Sequence, residues 1–315
     1  MANSTNDGNN TTTQELFCPI TLTRIHQRIF ILAFNIPLSI SAILGNVLII
    51  VALQRVTSIH PPSKLLLACL ASTDLCVGLI TQPLYIAYRM SSEYSKHCHY
   101  LRIFFNTIGS IFCAVSLLTL TAISVDRLLA LLLRLRYRQV VTLRRVWLLV
   151  AAFWVSSTAI ALTVIYSFRI AVIFVCIALL TCIITSTLCY TKIYLTLRHH
   201  QTHVQGHVQQ GPSSGKGVTL NIARYRKTVS TALLVQVTLL VCYLPYAISV
   251  GTFVNTGSQT PSLNFSWAVT VTLLLFNSTL NPLLYYWKIR EVRKAVMDTI
   301  KQFCCKSQVQ RQCIK

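Results

Sequence analysis

One carboxylate stands alone inside a long apolar run: Asp74, within residues 65–88. Burying an ionisable group in a bilayer is costly, so a residue kept there is a functional candidate by default. Polar groups at similar depth in other apolar runs are Asn46, Ser116, Asn277, Ser278 and Asn281. Carboxylate, carboxamide and hydroxyl oxygens form a hard set that suits a small cation with water. The same groups equally form an interhelical hydrogen-bond network without an ion, and residue types alone favour that plainer reading. A second constellation, Asp126-Arg127, closes the third apolar run. Its guanidinium fork either offers donors to the backbone of a docking partner or snorkels beside its acid at a membrane surface. Pro245, in Cys242-Tyr243-Leu244-Pro245, and Pro282, in Asn281-Pro282-Leu283-Leu284-Tyr285, each remove a helical backbone bond. Each is a hinge with a phenol or amide beside it, or a static kink.

Other chemistry finds less support. No pair of acids, metal triad or nucleophile with a base occurs within the apolar runs, which argues against an enzyme. His97-Cys98-His99 lacks a second ligand cluster and reads as a loop cysteine available for a disulfide rather than as a metal site. Most of the 12 cysteines lie inside apolar runs, where a free thiol behaves as a small hydrophobe.

The elements that must position these residues follow from composition. The chain has 315 residues, 54% hydrophobic and only 11% charged, yet 28 Lys+Arg against 7 Asp+Glu give a net charge of +21. In a soluble protein that excess would point to nucleic acid. A membrane protein reconciles the two facts if its charges sit on one face. Runs long enough to span a bilayer, about 20 residues each, occur at 29–54, 65–88, 103–131, 146–166, 170–197, 228–254 and 266–287. With the amino terminus outside, 22 of the 28 basic residues fall in inner loops, inner helix ends and the carboxyl tail. The positive-inside rule therefore orients the chain. Nothing else in the composition calls for a nucleic-acid partner.

Three regions result: an extracellular tail (1–28), a seven-helix membrane domain (29–287) and a cytoplasmic segment (288–315). The fold class is an all-α membrane protein, a seven-transmembrane helix bundle. Sequons at Asn3, Asn9, Asn10 and Asn264 lie on the outer side and are expected to be glycosylated. Residues 199–221 read as a flexible inner loop. From Lys288 to Phe303, basic and apolar residues alternate at helical spacing, which predicts a short amphipathic eighth helix on the inner leaflet. Cys304-Cys305 follows it, either palmitoylated or a pair of reduced thiols.

Taken in order, these residues resemble the rhodopsin-like (class A) G protein-coupled receptors. The matches are Gly45-Asn46-Val47, Leu70-Ala71-Ser72-Thr73-Asp74-Leu75, Asp126-Arg127-Leu128, Trp154, Tyr190, Cys242-Tyr243-Leu244-Pro245, Asn277-Ser278 and Asn281-Pro282-Leu283-Leu284-Tyr285. Each is weak alone; in order on seven helices they are specific. The resemblance implies a multi-pass plasma-membrane receptor with no catalytic chemistry and no cofactor, coupling an extracellular small-molecule, lipid or peptide ligand to a heterotrimeric G protein. Arrestin and a receptor kinase are further implied partners. It implies that Asp126, Arg127, Tyr190, Tyr243, Pro245, Asn281, Pro282 and Tyr285 form the activation switch. It also changes the reading of Asp74, whose pocket in this family holds an allosteric sodium ion, here with Asn46, Ser116, Asn277, Ser278 and Asn281.

The departures from the family pattern are informative. Arg102 stands where the family's helix-three cysteine is usual, and Tyr166–Arg169 contains no cysteine, so the family's common disulfide cannot form. A pairing of Cys18 with Cys98 is expected instead, with reduced thiols or a helix cysteine as partner the alternatives. The short second outer loop and the absence of a helix-five proline look like the melanocortin, adenosine, cannabinoid and lysophospholipid receptors; an invertebrate receptor of uncertain ligand fits too. Gly109 occupies the place of the ammonium-binding acid of aminergic receptors, and Leu275 that of the retinal lysine. An amine or peptide receptor with an atypical pocket is the alternative within the class. Tyr225 replaces the acid that would lock Arg127 to helix six, which predicts basal activity.

Candidate pocket residues are Gln82, Tyr85, Arg89, Asn106, Gly109, Ser110, Cys113, Tyr243, Tyr246, Phe253, Thr272 and Phe276. Arg89 and Arg102 either receive an anionic group or sit at the membrane interface. An ion-coupled transporter is the reading from another class; the chain shows no internal repeat, and seven spans do not halve.

Overall fold

A bilayer interior offers no water to backbone N–H and C=O groups, so apolar runs of this length must satisfy them internally as helices. The computed structural model describes residues 25–91, 96–208, 237–252, 255–256, 260–288 and 292–300, and contains no strand among them. Seven helices follow one another: α1 (Ile25–Arg55), α2 (Pro61–Met90), α3 (Lys96–Leu133), α4 (Leu143–Tyr166), α5 (Phe168–Val208), α6 (Val237–Thr252) and α7 (Pro261–Lys288). Among the described residues six are long and apolar enough to cross a membrane, and α6 is an apolar helix over the part described. Helix α3 packs against α2, α4 and α5, and α1 lies against α2 and α7. Large apolar side chains such as Leu44, Val155 and Leu188 point outward, as a lipid-facing surface requires.

Two apolar clusters fill the interior. The larger joins Leu66, Leu70, Leu120, Ile193, Leu239 and Tyr285 toward the Asp126 end of the bundle, the inner side on the positive-inside reading. The smaller, toward the opposite end and so the outer side on the same reading, joins Ile31, Tyr85, Tyr88, Cys98, Phe105 and Val271.

Three local features position the polar residues. Within α2, residues Val77–Thr81 form a π turn, and the Gln82 N–H reaches back five residues to the Val77 carbonyl. Pro83 has no N–H to continue either ladder, and the Ser39 hydroxyl donates to the Gly78 carbonyl at 2.7 Å. The inserted residue turns the outer part of α2 so that Gln82, Tyr85 and Arg89 are all buried. At the inner end of α3, Arg134 adopts φ 44°, a left-handed conformation rare for a side chain of this kind. It bends the chain into a single 3-10 turn and the short helix Tyr137–Val140. Pro282, inside α7, lies against Gly45, where an added Cβ would meet the proline ring at 3.0 Å.

Residues 199–208, expected to be loop, continue α5 as helix. No proline or glycine interrupts the chain between Phe168 and Gln205, so an established helix propagates past the apolar run. A last helix, α8 (292–300), buries Val292, Ala295, Val296 and Thr299 and exposes Arg293, Lys294 and Met297.

Candidate functional site

The polar residues assemble into three clusters along the bundle. At the inner end, Asp126 is 4% exposed although it ends an apolar run. The Ser63 hydroxyl donates to its Oδ2 at 2.9 Å and the Tyr137 hydroxyl to its Oδ1 at 2.6 Å. Ser63 and Tyr137 are also 3.0 Å apart, closing a triangle. Arg127 reaches the same carboxylate at 3.6 Å with 40% of its side chain exposed. Sequence reasoning missed Ser63 and Tyr137. The only available signal was a hydroxyl just after Pro61-Pro62 and a phenol in an otherwise basic loop.

In the middle, Asp74 is fully buried. Ser116 donates to its Oδ1 at 3.0 Å and Asn281 Nδ2 to its Oδ2 at 2.7 Å. The Ser278 side chain also hydrogen-bonds this carboxylate, while Asn46 and Asn277 stand around the core rather than on it. Asn46 Nδ2 donates to the Ala42 and Ser278 carbonyls, and Asn277 Nδ2 donates to the Tyr243 hydroxyl at 3.3 Å. The carbonyl oxygens of the Asn46, Asn277 and Asn281 amides are buried without a partner. Three partnerless amide oxygens and a buried carboxylate make up a hard donor set that suits a monovalent cation. Toward the inner side, Ser124 donates to the Tyr190 hydroxyl at 3.0 Å, and the buried Tyr285 hydroxyl has no partner.

The outer cluster is built on α2. Gln82, Tyr85 and Arg89, spaced three and four residues apart, share one face of the helix. The Tyr85 hydroxyl donates to the Ala268 carbonyl of α7 at 3.1 Å. Its ring lies 5.1 Å from Phe105 and 6.3 Å from Trp267. Asn35 donates to Thr272 at 3.1 Å, tying α1 to α7 beside them. The other expected pocket residues are dispersed. Ser110 turns back onto the Thr107 carbonyl, Gly109 packs against Thr81, and Cys113 and Tyr246 border the outer aromatic cluster. Tyr243 belongs with the middle cluster through Asn277. Asn106 and Phe276 are half-buried. Arg102 separates from Arg89, donating instead to His99 Nδ1 at 3.0 Å. Phe105, Tyr88 and Trp267 join the cluster without having been singled out, because apolar aromatics in a span carry no signal of their own.

Cys98 is buried in the outer cluster. Its expected partner Cys18 lies outside the described residues, as do Asn3, Asn9, Asn10, Tyr225, Phe253, Cys304 and Cys305. Asn264 falls in the first turn of α7, half-buried.

The profile of the family described as 7 transmembrane receptor (rhodopsin family) matches residues 45–171 and 163–285. Among individual proteins, trace amine-associated receptor 9 of Mus musculus is 25% identical over 81% of this chain and 80% of its own length. Adenosine receptor A3 of Ovis aries is 25% identical over 85% of this chain and 88% of its own. Trace amine-associated receptor 9 of Homo sapiens is 24% identical over 82% and 80%.

Proposed function

The chain belongs to the rhodopsin family of seven-transmembrane receptors, and from that premise we propose how its clusters carry a signal from an outer ligand to an inner G protein. As a G protein-coupled receptor it is embedded in a membrane and performs no chemistry of its own. A ligand that binds the active arrangement more tightly shifts a two-state equilibrium toward it. Helix α6 swings about Pro245, while Tyr190, Tyr285 and the Asn281-Pro282 segment rearrange beneath it. Arg127 then leaves Asp126 and docks on the G protein.

The observation that supports this reading is the unequal treatment of the adjacent pair. Asp126 is buried and held by two hydroxyl donors, so it stays put. Arg127, at 3.6 Å and partly exposed, is the member free to move. Tyr243 links α6 to the Asp74 cluster through Asn277. We assign that cluster a sodium ion, with Asp74, Ser116, Ser278 and Asn281 at its centre and Asn46 and Asn277 around it. The ion supplies positive charge to a buried carboxylate in the resting state.

The plasma membrane is the proposed location, with Asn3, Asn9, Asn10 and Asn264 glycosylated, Cys18 paired with Cys98, and Cys304 and Cys305 palmitoylated. The tail and inner loops would also meet arrestin and a receptor kinase. Two relatives are named for trace amines and one for adenosine, but Gly109 leaves no acid for an ammonium group at that position.

The test is nucleotide exchange on a heterotrimeric G protein by the purified chain in lipid nanodiscs. Ligand-free exchange above the G protein alone is expected, and Arg127→Ala abolishes it; a silent wild-type protein removes the basal-activity claim. Tyr137→Phe deletes a donor to the Asp126 carboxylate worth about 1.5–3 kcal/mol and is expected to raise basal exchange about tenfold or more.

A further inference from the structure

Arg89 is 2% exposed, yet its Nε and Nη2 have no hydrogen-bond partner. A guanidinium is always charged, and burying it without a counter-charge is expensive. Among the described residues the acids are Asp74, Asp126 and Asp298. Asp74, on the same helix, is fifteen residues back, about 22 Å along the axis, and Asp126 stands at the inner end. Among the described residues the compensation is the Trp267 ring, 5.9 Å from the Arg89 Cζ. Two turns deeper, about 10 Å along α2, Gln82 is fully buried with both amide atoms unpaired.

Between these two polar ends lies a box of rings. Tyr88 stacks on Phe105 at 6.1 Å with 13° between planes, and Trp267 meets Phe105 edge-on at 6.5 Å and 90°. Rigid faces at right angles match a flat apolar body better than a flexible chain. The orphaned pair Nε and Nη2 is the side edge of the guanidinium, which binds the two oxygens of one acid group.

We propose that this outer site binds an organic anion. One acidic group lies on the Arg89 edge, a flat apolar body packs against the Phe105, Tyr88 and Trp267 rings, which part to admit it, and a hydrogen-bonding group at the far end lies on Gln82. Binding itself follows from these residues; the consequence for signalling rests on the receptor reading above.

The probe is 6-hydroxy-2-naphthoate, which carries an acid and a hydroxyl at opposite ends of a flat body. Its effect on thermal unfolding is read on the full chain in nanodiscs. It should raise the melting temperature, whereas its uncharged primary amide should not. Arg89→Gln should weaken its binding tenfold or more, Arg89→Lys less so, and 2-naphthoate should bind several-fold more weakly than the hydroxy acid only while Gln82 is intact. Stronger binding of 2-naphthyl phosphate than of the naphthoate would assign a phosphate monoester rather than a carboxylate. Equal effects of acid and amide, no shift by either acid or the phosphate, or decanoate binding as well as the naphthoate would each overturn the proposal. The acid and amide comparison needs no variant, so a misfolded Arg89→Gln does not spoil it. Acid binding without any effect on nucleotide exchange leaves the site standing and removes the receptor consequence. Exchange-competent protein that ignores every anion removes the site alone.

Discussion

Two buried polar clusters share helix α2, one around Asp74 in the middle of the bundle and one around Arg89 and Gln82 toward its outer end. What each leaves unsatisfied differs in kind. Around Asp74 the partnerless atoms are the Asn46, Asn277 and Asn281 carbonyl oxygens, all acceptors. Around Arg89 they include the two guanidinium nitrogens and the Gln82 amide nitrogen, all donors, with the Gln82 and Asn35 amide oxygens and the Thr81 hydroxyl beside them, and only the guanidinium carries charge. The lower cluster is therefore short of positive charge and the upper one of negative charge. A buried orphan costs about 1–3 kcal/mol, a cost that a visitor of the matching sign would repay. The π turn at Val77–Thr81 separates the two faces, so a single helix presents an acid to one visitor and a base to another.

The largest expected effect breaks the lower half of this contrast. Sodium at a hundredfold excess over its dissociation constant stabilises a one-site protein by about 2.7 kcal/mol. Thermal unfolding in sodium against N-methylglucamine should show that gain in the wild type and none in Asp74→Asn. A variant that keeps its sodium response would place the ion elsewhere.

Next in size is a pair of substitutions with opposite signs. Ser116→Ala removes a donor to a buried carboxylate and should cost about 1.5–3 kcal/mol. Gln82→Leu removes two unpaired polar atoms at similar volume and should stabilise the ligand-free protein by about 1–2 kcal/mol. Denaturation of both variants in the absence of ligand checks the signs. A destabilised Gln82→Leu would mean that the outer amide is already satisfied and the contrast false.

How legible this was in the sequence depends on the scale of the feature. The seven apolar runs reflect bilayer thickness, and the structure places helices on them all. Their ends are less legible. Helix α3 is already formed at Lys96, ahead of the apolar run that opens near 103, because His97, Cys98 and His99 carry no helix-breaking feature. Asp74 announced itself, since an acid in an apolar run has few innocent explanations. Tyr137 did not: it meets Asp126 only because the left-handed backbone at Arg134 folds the chain back, and nothing in that residue's chemistry encodes it. Gln82 and Arg89 were visible as polar residues in a span. Their common inward orientation depends on a π turn that a strict helical period does not contain.

The smallest effect concerns what holds the two sides of the outer site together. Gly109 is the close approach of α3 to α2, where an added Cβ would stand 3.0 Å from Thr81 Cγ2. Thr81 is fully buried at the end of the π turn, with its hydroxyl unpaired. A methyl group at 109 therefore has to move a β-branched side chain that has little rotamer freedom, or push α3 away from α2. Alanine also favours helix over glycine by nearly 1 kcal/mol, which offsets part of the strain. The net stability change in Gly109→Ala should be within about 1 kcal/mol, while Phe105, one turn earlier on α3, shifts against Tyr85 and Tyr88. If the outer site needs that ring box, 6-hydroxy-2-naphthoate should lose several-fold in affinity with little change in melting temperature. The sodium response, set by contacts deeper in the bundle, should be unaltered. Equal losses at both sites would mean that the two clusters are one cooperative unit rather than two sites of opposite sign on a shared helix.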